Sequence, residues 1–216
     1  MIQSLFATQV YGTDLNLDVK AMIPECYRIQ QTTESEKQSN QGGFQSLMDM
    51  SIKSVQGGFQ SKHIPPQNYK HPLFHQLGNE IMKHTCIYAK GLGFKEELMP
   101  HLEIQMWINI NKPQAFNNPH VHLGTFFSGA YYIKASENTL GFENPNKLSP
   151  YAWHYHKKYF HDSQTTAETC FCETIENRIY IFPCWLTHFV LPNRTKEDRI
   201  SISFDVTIPE NTFVGH

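Results

Sequence analysis

The sequence predicts a mainly β protein with N-terminal helices (α+β class), its β part a sandwich or jelly roll that begins near residue 100. Three observations predict it. After Pro100 the apolar residues of "LEIQMWINI" fall on every second position: Leu102, Ile104, Met106, Ile108 and Ile110 alternate with Glu103, Gln105, Trp107 and Asn109. That is the period of a strand with one apolar face and one polar or functional face. The signal returns in "TFFSGAYYIKA", "NRIYIFPCW" and "DRISISFDVTI", separated by Pro, Asn and Gly turns with no helical period between them. Helical spacing is strong only earlier, and such segregation of helix from strand is the mark of an α+β or all-β arrangement rather than of βαβ units.

Taken in order, the first element is a strand candidate in "SLFATQVYG", residues 4 to 12. The forty residues after it are polar and rich in Gln, Ser and Thr, and no period places them. "QGGFQS" occurs at 41–46 and again at 56–61; two copies do not make a solenoid, and each Gly-Gly reads as a turn. In "HPLFHQLGNEIMKHTCIYAK", residues 71–90, Leu73, Phe74, Leu77, Ile81, Met82 and Tyr88 lie at helical spacing, with Pro72 tolerated in the first turn and Gly91 as a stop. His71, His75 and His84 on or beside this helix read as surface or half-buried residues.

Composition narrows the function. The 216 residues suffice for one compact body with a real core. Eighteen basic against twenty acidic residues leave a net charge of −2, so electrostatic capture of nucleic acid or of an anionic membrane is not favoured. No stretch approaches the run needed to span a bilayer and the first residues lack the pattern of a signal peptide, so a cytoplasmic location is expected. Five cysteines without a C-x-x-C pair predict reduced thiols rather than a disulfide framework or a structural zinc site; Cys184 beside Trp185 reads as core packing. Twelve histidines are the unusual feature.

His120 and His122 in "NPHVHLG" precede one of the strands. On a strand, positions i and i+2 share a face, so both imidazoles can enter one cavity as cis metal ligands. Further downstream, His188 follows the strand that ends at Phe182-Pro183, and Arg199 opens an alternating run with Ser201 on its own face. An inward arginine is a buried charge that an anion would satisfy; a surface pair with Glu197 or Asp198 is the plainer alternative. A second cluster, "WHYHKKYFHD" at 153–162, reads as polar loop, with Trp153, Tyr155 and Tyr159 as candidates for a substrate lid.

The ordered elements "LFATQV", "GGFQS", "SGAYYI", "FPCWLTH" and "RISISFD" resemble those of a 2-oxoglutarate–Fe(II) oxygenase family of the double-stranded β-helix fold, prolyl-hydroxylase-like, in which they read "lFptpv", "GGwqS", "SGvyYl", "FPswlxH" and "RisisfN". The resemblance spans almost the whole chain. It implies a double-stranded β-helix (jelly roll) catalytic core at 100–216, with residues 1–99 supplying a strand, loops and a supporting helix packed on it. It further implies Fe(II) on His120, His122 and His188, and 2-oxoglutarate anchored through its distal carboxylate by Arg199, Ser201 and Tyr132. Asn109 would lie near the metal-bound carboxylate. O₂ would be the third reactant, and hydroxylation of an unknown substrate, a protein side chain or a small molecule, would release succinate and CO₂. A histidine in place of the commoner acidic second ligand removes a negative charge, which leaves zinc or nickel as alternative metals. A cupin-type metal-dependent dioxygenase or hydrolase that does not use 2-oxoglutarate, and an inactive binding β-domain, remain as alternatives.

Overall fold

The computed structural model describes residues 6–32, 34–35, 39–46, 50–55, 58–63, 72–135, 139–148, 151, 154, 157–159 and 166–209. The chain forms β1 (Tyr11–Asp14), α1 (Val19–Thr32), β2 (Asn40–Gln41), β3 (Phe44–Gln45), β4 (Met50–Val55), β5 (Gly58–His63) and α2 (Pro72–Gly91). A 3₁₀ turn at Glu96–His101 leads into β6 (Glu103–Asn111), β7 (Phe116–His120), β8 (Phe127–Lys134) and β9 (Leu140–Glu143). Then come β10 (Thr169–Cys172), β11 (Arg178–Pro183), β12 (His188–Val190) and β13 (Arg199–Thr207).

A large sheet runs β1-β11-β8-β13-β6-β4-β5, with β3 also paired to β6, and a small sheet runs β10-β9-β12-β7-β2. From β6 to β13, β6, β8, β11 and β13 lie in the large sheet and β7, β9, β10 and β12 in the small one. With antiparallel pairing at every step, this winding is the jelly roll of the double-stranded β-helix. Strands from the N-terminal part extend both sheets.

The period of two sorts the side chains of the large sheet into opposite faces. Ile104, Met106, Ile108 and Ile110 of β6, Ile200, Ile202, Phe204 and Val206 of β13, and Ile179 and Ile181 of β11 share one core with Met22, Cys26 and Ile29 of α1 and Phe74, Leu77, Ile81 and Met82 of α2. Full burial of each such side chain contributes about 1.5–3 kcal/mol. The opposite face, toward the small sheet, carries Trp107, Asn109, Ser201 and Tyr132, and the reactive residues gather there. Among the described residues no helix is long and apolar enough to cross a membrane.

Gly129 in β8 shows how tightly the sheet is filled: a Cβ there would fall onto the Phe204 ring and the Tyr180 carbonyl. Gly129→Ala is expected to destabilise the protein by about 1–3 kcal/mol, the usual range for overpacking a full site. The fall in urea midpoint at unchanged slope measures it.

Several local expectations need correction. The first strand starts at Tyr11, whereas Phe6 is fully exposed at φ 57° and residues 1–5 lie outside the described residues. Its partner strand explains this: Tyr11 sits opposite Ile181, and β11 ends two residues on at Pro183, which has no N–H to continue the ladder. The unplaced polar stretch contains α1, whose Val19, Met22, Cys26 and Ile29 are buried at helical spacing and whose Ala21 N–H is capped by Asp18 at 3.1 Å. Pro24 inside the helix obscured that period.

Of the two Gly-Gly turns, Gly42 takes φ 75° between β2 and β3, while Gln56 and Gly57 of the second copy lie outside the described residues. Cys184 is a half-buried residue between β11 and β12 that accepts a backbone hydrogen bond from His122, and Trp185 is exposed; neither is core.

Candidate active site

His120 closes β7 and stands directly opposite His188, the first residue of β12. His122 lies beyond the end of β7 rather than on it, its position set by a 2.9 Å hydrogen bond from its backbone N–H to the Cys184 carbonyl. The three rings converge all the same, with centroids 4.3 Å apart for His120 and His188, 5.0 Å for His120 and His122, and 5.1 Å for His122 and His188. One nitrogen from each ring lies within 4.8 Å of the others.

The Nδ1 atoms are already engaged. His120 Nδ1 meets the Asn118 carbonyl at 2.6 Å, His188 Nδ1 the Leu186 carbonyl at 3.0 Å, and His122 Nδ1 the Asp205 carboxylate at 2.9 Å. Carbonyl and carboxylate oxygens only accept, so Nδ1 is the donor in each ring and Nε2 is the atom left to ligate. The His122 Nε2 is buried with no protein partner, an arrangement that costs free energy unless something outside the protein fills it. Burial, then the neighbouring His120, holds His188 down at about 3, and burial lowers His120 as well. Both rings are therefore neutral, the form that ligates metal. Three imidazoles converging on one point fit Fe(II), and equally zinc or nickel.

Asp205 is the residue that reading the sequence missed. It is buried, receives the Ser128 hydroxyl at 2.6 Å, and faces His122 across from the candidate metal position. The carboxylate that a three-histidine set lacks is thus present behind His122, where it orients that ring. On the other side the Trp107 indole stacks on the His122 ring at 5.9 Å and 23°. Removing the carboxylate is expected to weaken metal binding by about 10–100-fold in Asp205→Ala. Asp205→Asn, which keeps an acceptor for His122, should lose much less. Metal titration against a competing chelator separates the two.

The cavity that holds the histidines continues to Asn109, Tyr132, Arg199 and Ser201, so the structure brings all seven sequence-selected residues of the core together. Arg199 is turned inward, 1% exposed, and donates to the Leu191 carbonyl at 3.3 Å. The two acids beside it in sequence are engaged elsewhere: Glu197 pairs with Lys134 at 2.7 Å and Asp198 accepts the Tyr27 hydroxyl at 3.0 Å. Ser201 stands between Tyr132 of β8 and Asn109 of β6 in cross-strand register, which puts the three polar groups on one row. Burial raises the Tyr132 phenol far above its ordinary value, so it remains a donor. The Asn109 Nδ2 bonds the Ser203 hydroxyl at 2.9 Å and its Oδ1 is buried without a partner. Among the described residues that line the cavity there is no carboxylate.

Of the lid candidates, Trp153 and Tyr155 lie outside the described residues, as do His156, His161 and Asp162. Tyr159 is 69% exposed beneath the Lys158 ammonium and does not line the histidine cavity. His154 is exposed on a separate shallow surface with Glu143 and Glu168.

Residues 105–205 match the sequence model of a family described as "Putative 2OG-Fe(II) oxygenase". No curated protein sequence matches the chain. Among solved structures, a Pseudomonas putida prolyl-4-hydroxylase is similar at TM-score 0.60 and 13% identity, covering 94% of each chain. A Burkholderia pseudomallei oxidoreductase of the 2OG-Fe(II) oxygenase family follows at 0.53 and 11%, covering 89% of this chain and 78% of that one. A Streptomyces hygroscopicus protein, HygX, solved with nickel and 2-oxoglutarate bound, is similar at 0.52 and 8%, covering 95% and 84%. At these identities the likeness is one of fold.

Proposed function

We propose that this chain, whose residues 105–205 match the sequence model of a 2-oxoglutarate–Fe(II) oxygenase family, hydroxylates a C–H bond with conversion of 2-oxoglutarate to succinate and CO₂. The observation that carries the reading is the pairing of two ends in one cavity: three imidazole lone pairs, one of them buried and unpartnered, and opposite them an inward arginine. His120, His122 and His188 would hold Fe(II), which would supply the oxidising chemistry by which O₂ gives one oxygen atom to succinate and one to substrate.

The residues of this chain do the holding. Arg199 presents a planar fork of donors to the distal carboxylate in a site withdrawn from water, where such bonds are strongest. Ser201 and the protonated Tyr132 add hydroxyl donors from the neighbouring positions of the row. Asn109 can turn its amide N–H toward the carboxylate nearer the metal, because the Ser203 hydroxyl donates as readily as it accepts. Asp205 keeps His122 in the correct tautomer and partly offsets the charge of a divalent ion.

Anaerobic addition of Fe(II) and then 2-oxoglutarate is the test. A visible metal-to-ligand charge-transfer band is expected when the keto acid chelates the ion. Its absence at one bound metal per chain would sink this reading and favour a metalloenzyme that does not use 2-oxoglutarate.

A further inference from the structure

A second cavity adjoins the first. It is lined by Ser39, Gln45, Trp107, Asn118, Val121 and the two histidines of the H-x-H pair. It shares Ser39, Trp107, His120 and His122 with the first cavity but reaches none of Arg199, Ser201 and Tyr132. The candidate metal position therefore has an anion-holding side and a second side, and the second is where another reactant can approach.

Among the described residues its lining is uncharged apart from the imidazoles. Gln45 stands out there: it is 2% exposed, and its Oε1 is buried with no protein partner. A buried amide oxygen left unbonded is costly, and a ligand donor would relieve it. The fold goes to some length to place this residue. Asn40 donates to the Phe44 carbonyl at 3.1 Å across the Gly42-Gly43 turn and accepts from Asn111 at 3.2 Å; Asn111 also donates to Asn117 at 3.3 Å. A Cβ on Gly43 would collide with the Asn40 side chain and the Ile110 carbonyl. The turn so pinned puts Gln45 of β3 in register with Asn109 of β6, beside the histidine cavity.

We infer that this second cavity is the site of the primary substrate, and that Gln45 selects an uncharged amide-type group packed against the Trp107 indole. An amide side chain offers one acceptor and donors side by side, which an amide edge matches and a carboxylate does not. A flat aromatic wall suits a planar group. Trp107, stacked on His122, would then hold that group next to the metal position.

The assignment rests on the oxygenase reading for its meaning, but binding can be measured apart from turnover. The probe is N-acetylalanine methylamide, a single uncharged peptide unit, followed by saturation-transfer NMR on the full chain, with N-acetylalanine as the anionic control. Saturable binding of the methylamide over the control is expected, weakened at least about five-fold in Gln45→Leu and retained in part in Gln45→Asn. Equal binding by wild type and Gln45→Leu, or preference for the anion, would overturn it. Unchanged thermal midpoints show that the variants are folded. Failure of the charge-transfer band with the methylamide still bound in a Gln45-dependent way would count against the oxygenase reading and leave Gln45 as an amide-binding residue.

Discussion

His188→Ala is expected to abolish the charge-transfer band and all succinate formation. Loss of an outer partner of a metal-bound histidine already costs about 10–100-fold, so loss of a ligand should cost at least about 100-fold in metal affinity. His188 is the sharpest place to look, because β12 pairs with both β7 and β9 at this residue, opposite His120 on one side and Phe142 on the other. Its ring is also packed by Phe182 at 4.6 Å, so truncation opens space and could lower stability for reasons unrelated to metal. His188→Gln fills most of that space. It should keep the thermal midpoint close to that of metal-free wild type while the band stays absent. A normal band in His188→Gln would show that the three histidines do not form the metal site.

Arg199→Ala should leave metal affinity nearly unchanged and raise the concentration of 2-oxoglutarate needed to form the band. Truncating one member of a buried, hydrogen-bonded charge pair costs about 2–5 kcal/mol, roughly a 30-fold to several-thousand-fold rise in dissociation constant. Arg199→Lys should recover only part of the loss, since an ammonium cannot reproduce the two parallel bonds of a guanidinium. Titration of 2-oxoglutarate into the Fe(II)-loaded variants reads the effect directly. An unchanged midpoint in Arg199→Ala would mean that the inward arginine serves the fold rather than the cosubstrate.

His188 and Arg199 are both visible in the sequence, and the reason is the length of the strands around them. β6, β8, β11 and β13 run for six to nine residues, long enough for a period of two to declare itself, and α2 is long enough for a period of 3.6. The small sheet was not legible. β7, β9, β10 and β12 have three to five residues each, too few for any period, and β7 contains Pro119, which argues against a central strand. His122 has the spacing of a strand residue but lies beyond β7, held at the site by its backbone bond to Cys184 and its ring contact with Asp205. Asp205 could have been found: it continues the series Arg199, Ser201, Ser203 at every second residue, and it stands where the resembling family has asparagine. Gln45 could not, since only strand register brings the Gly-Gly turn beside Asn109.

β13 has two faces that serve different ends. Arg199, Ser201, Ser203 and Asp205 look into the roll, while Ile200, Ile202, Phe204 and Val206 look toward the helices. Chemistry and core packing are thus written on alternate letters of one nine-residue stretch. Point substitutions can revise either text and leave the other intact, which lets such a chain drift in specificity without losing its shape. Insertion or deletion of one residue within the strand has no such freedom, because it exchanges the two texts at once and delivers isoleucines to the metal and an arginine to the core.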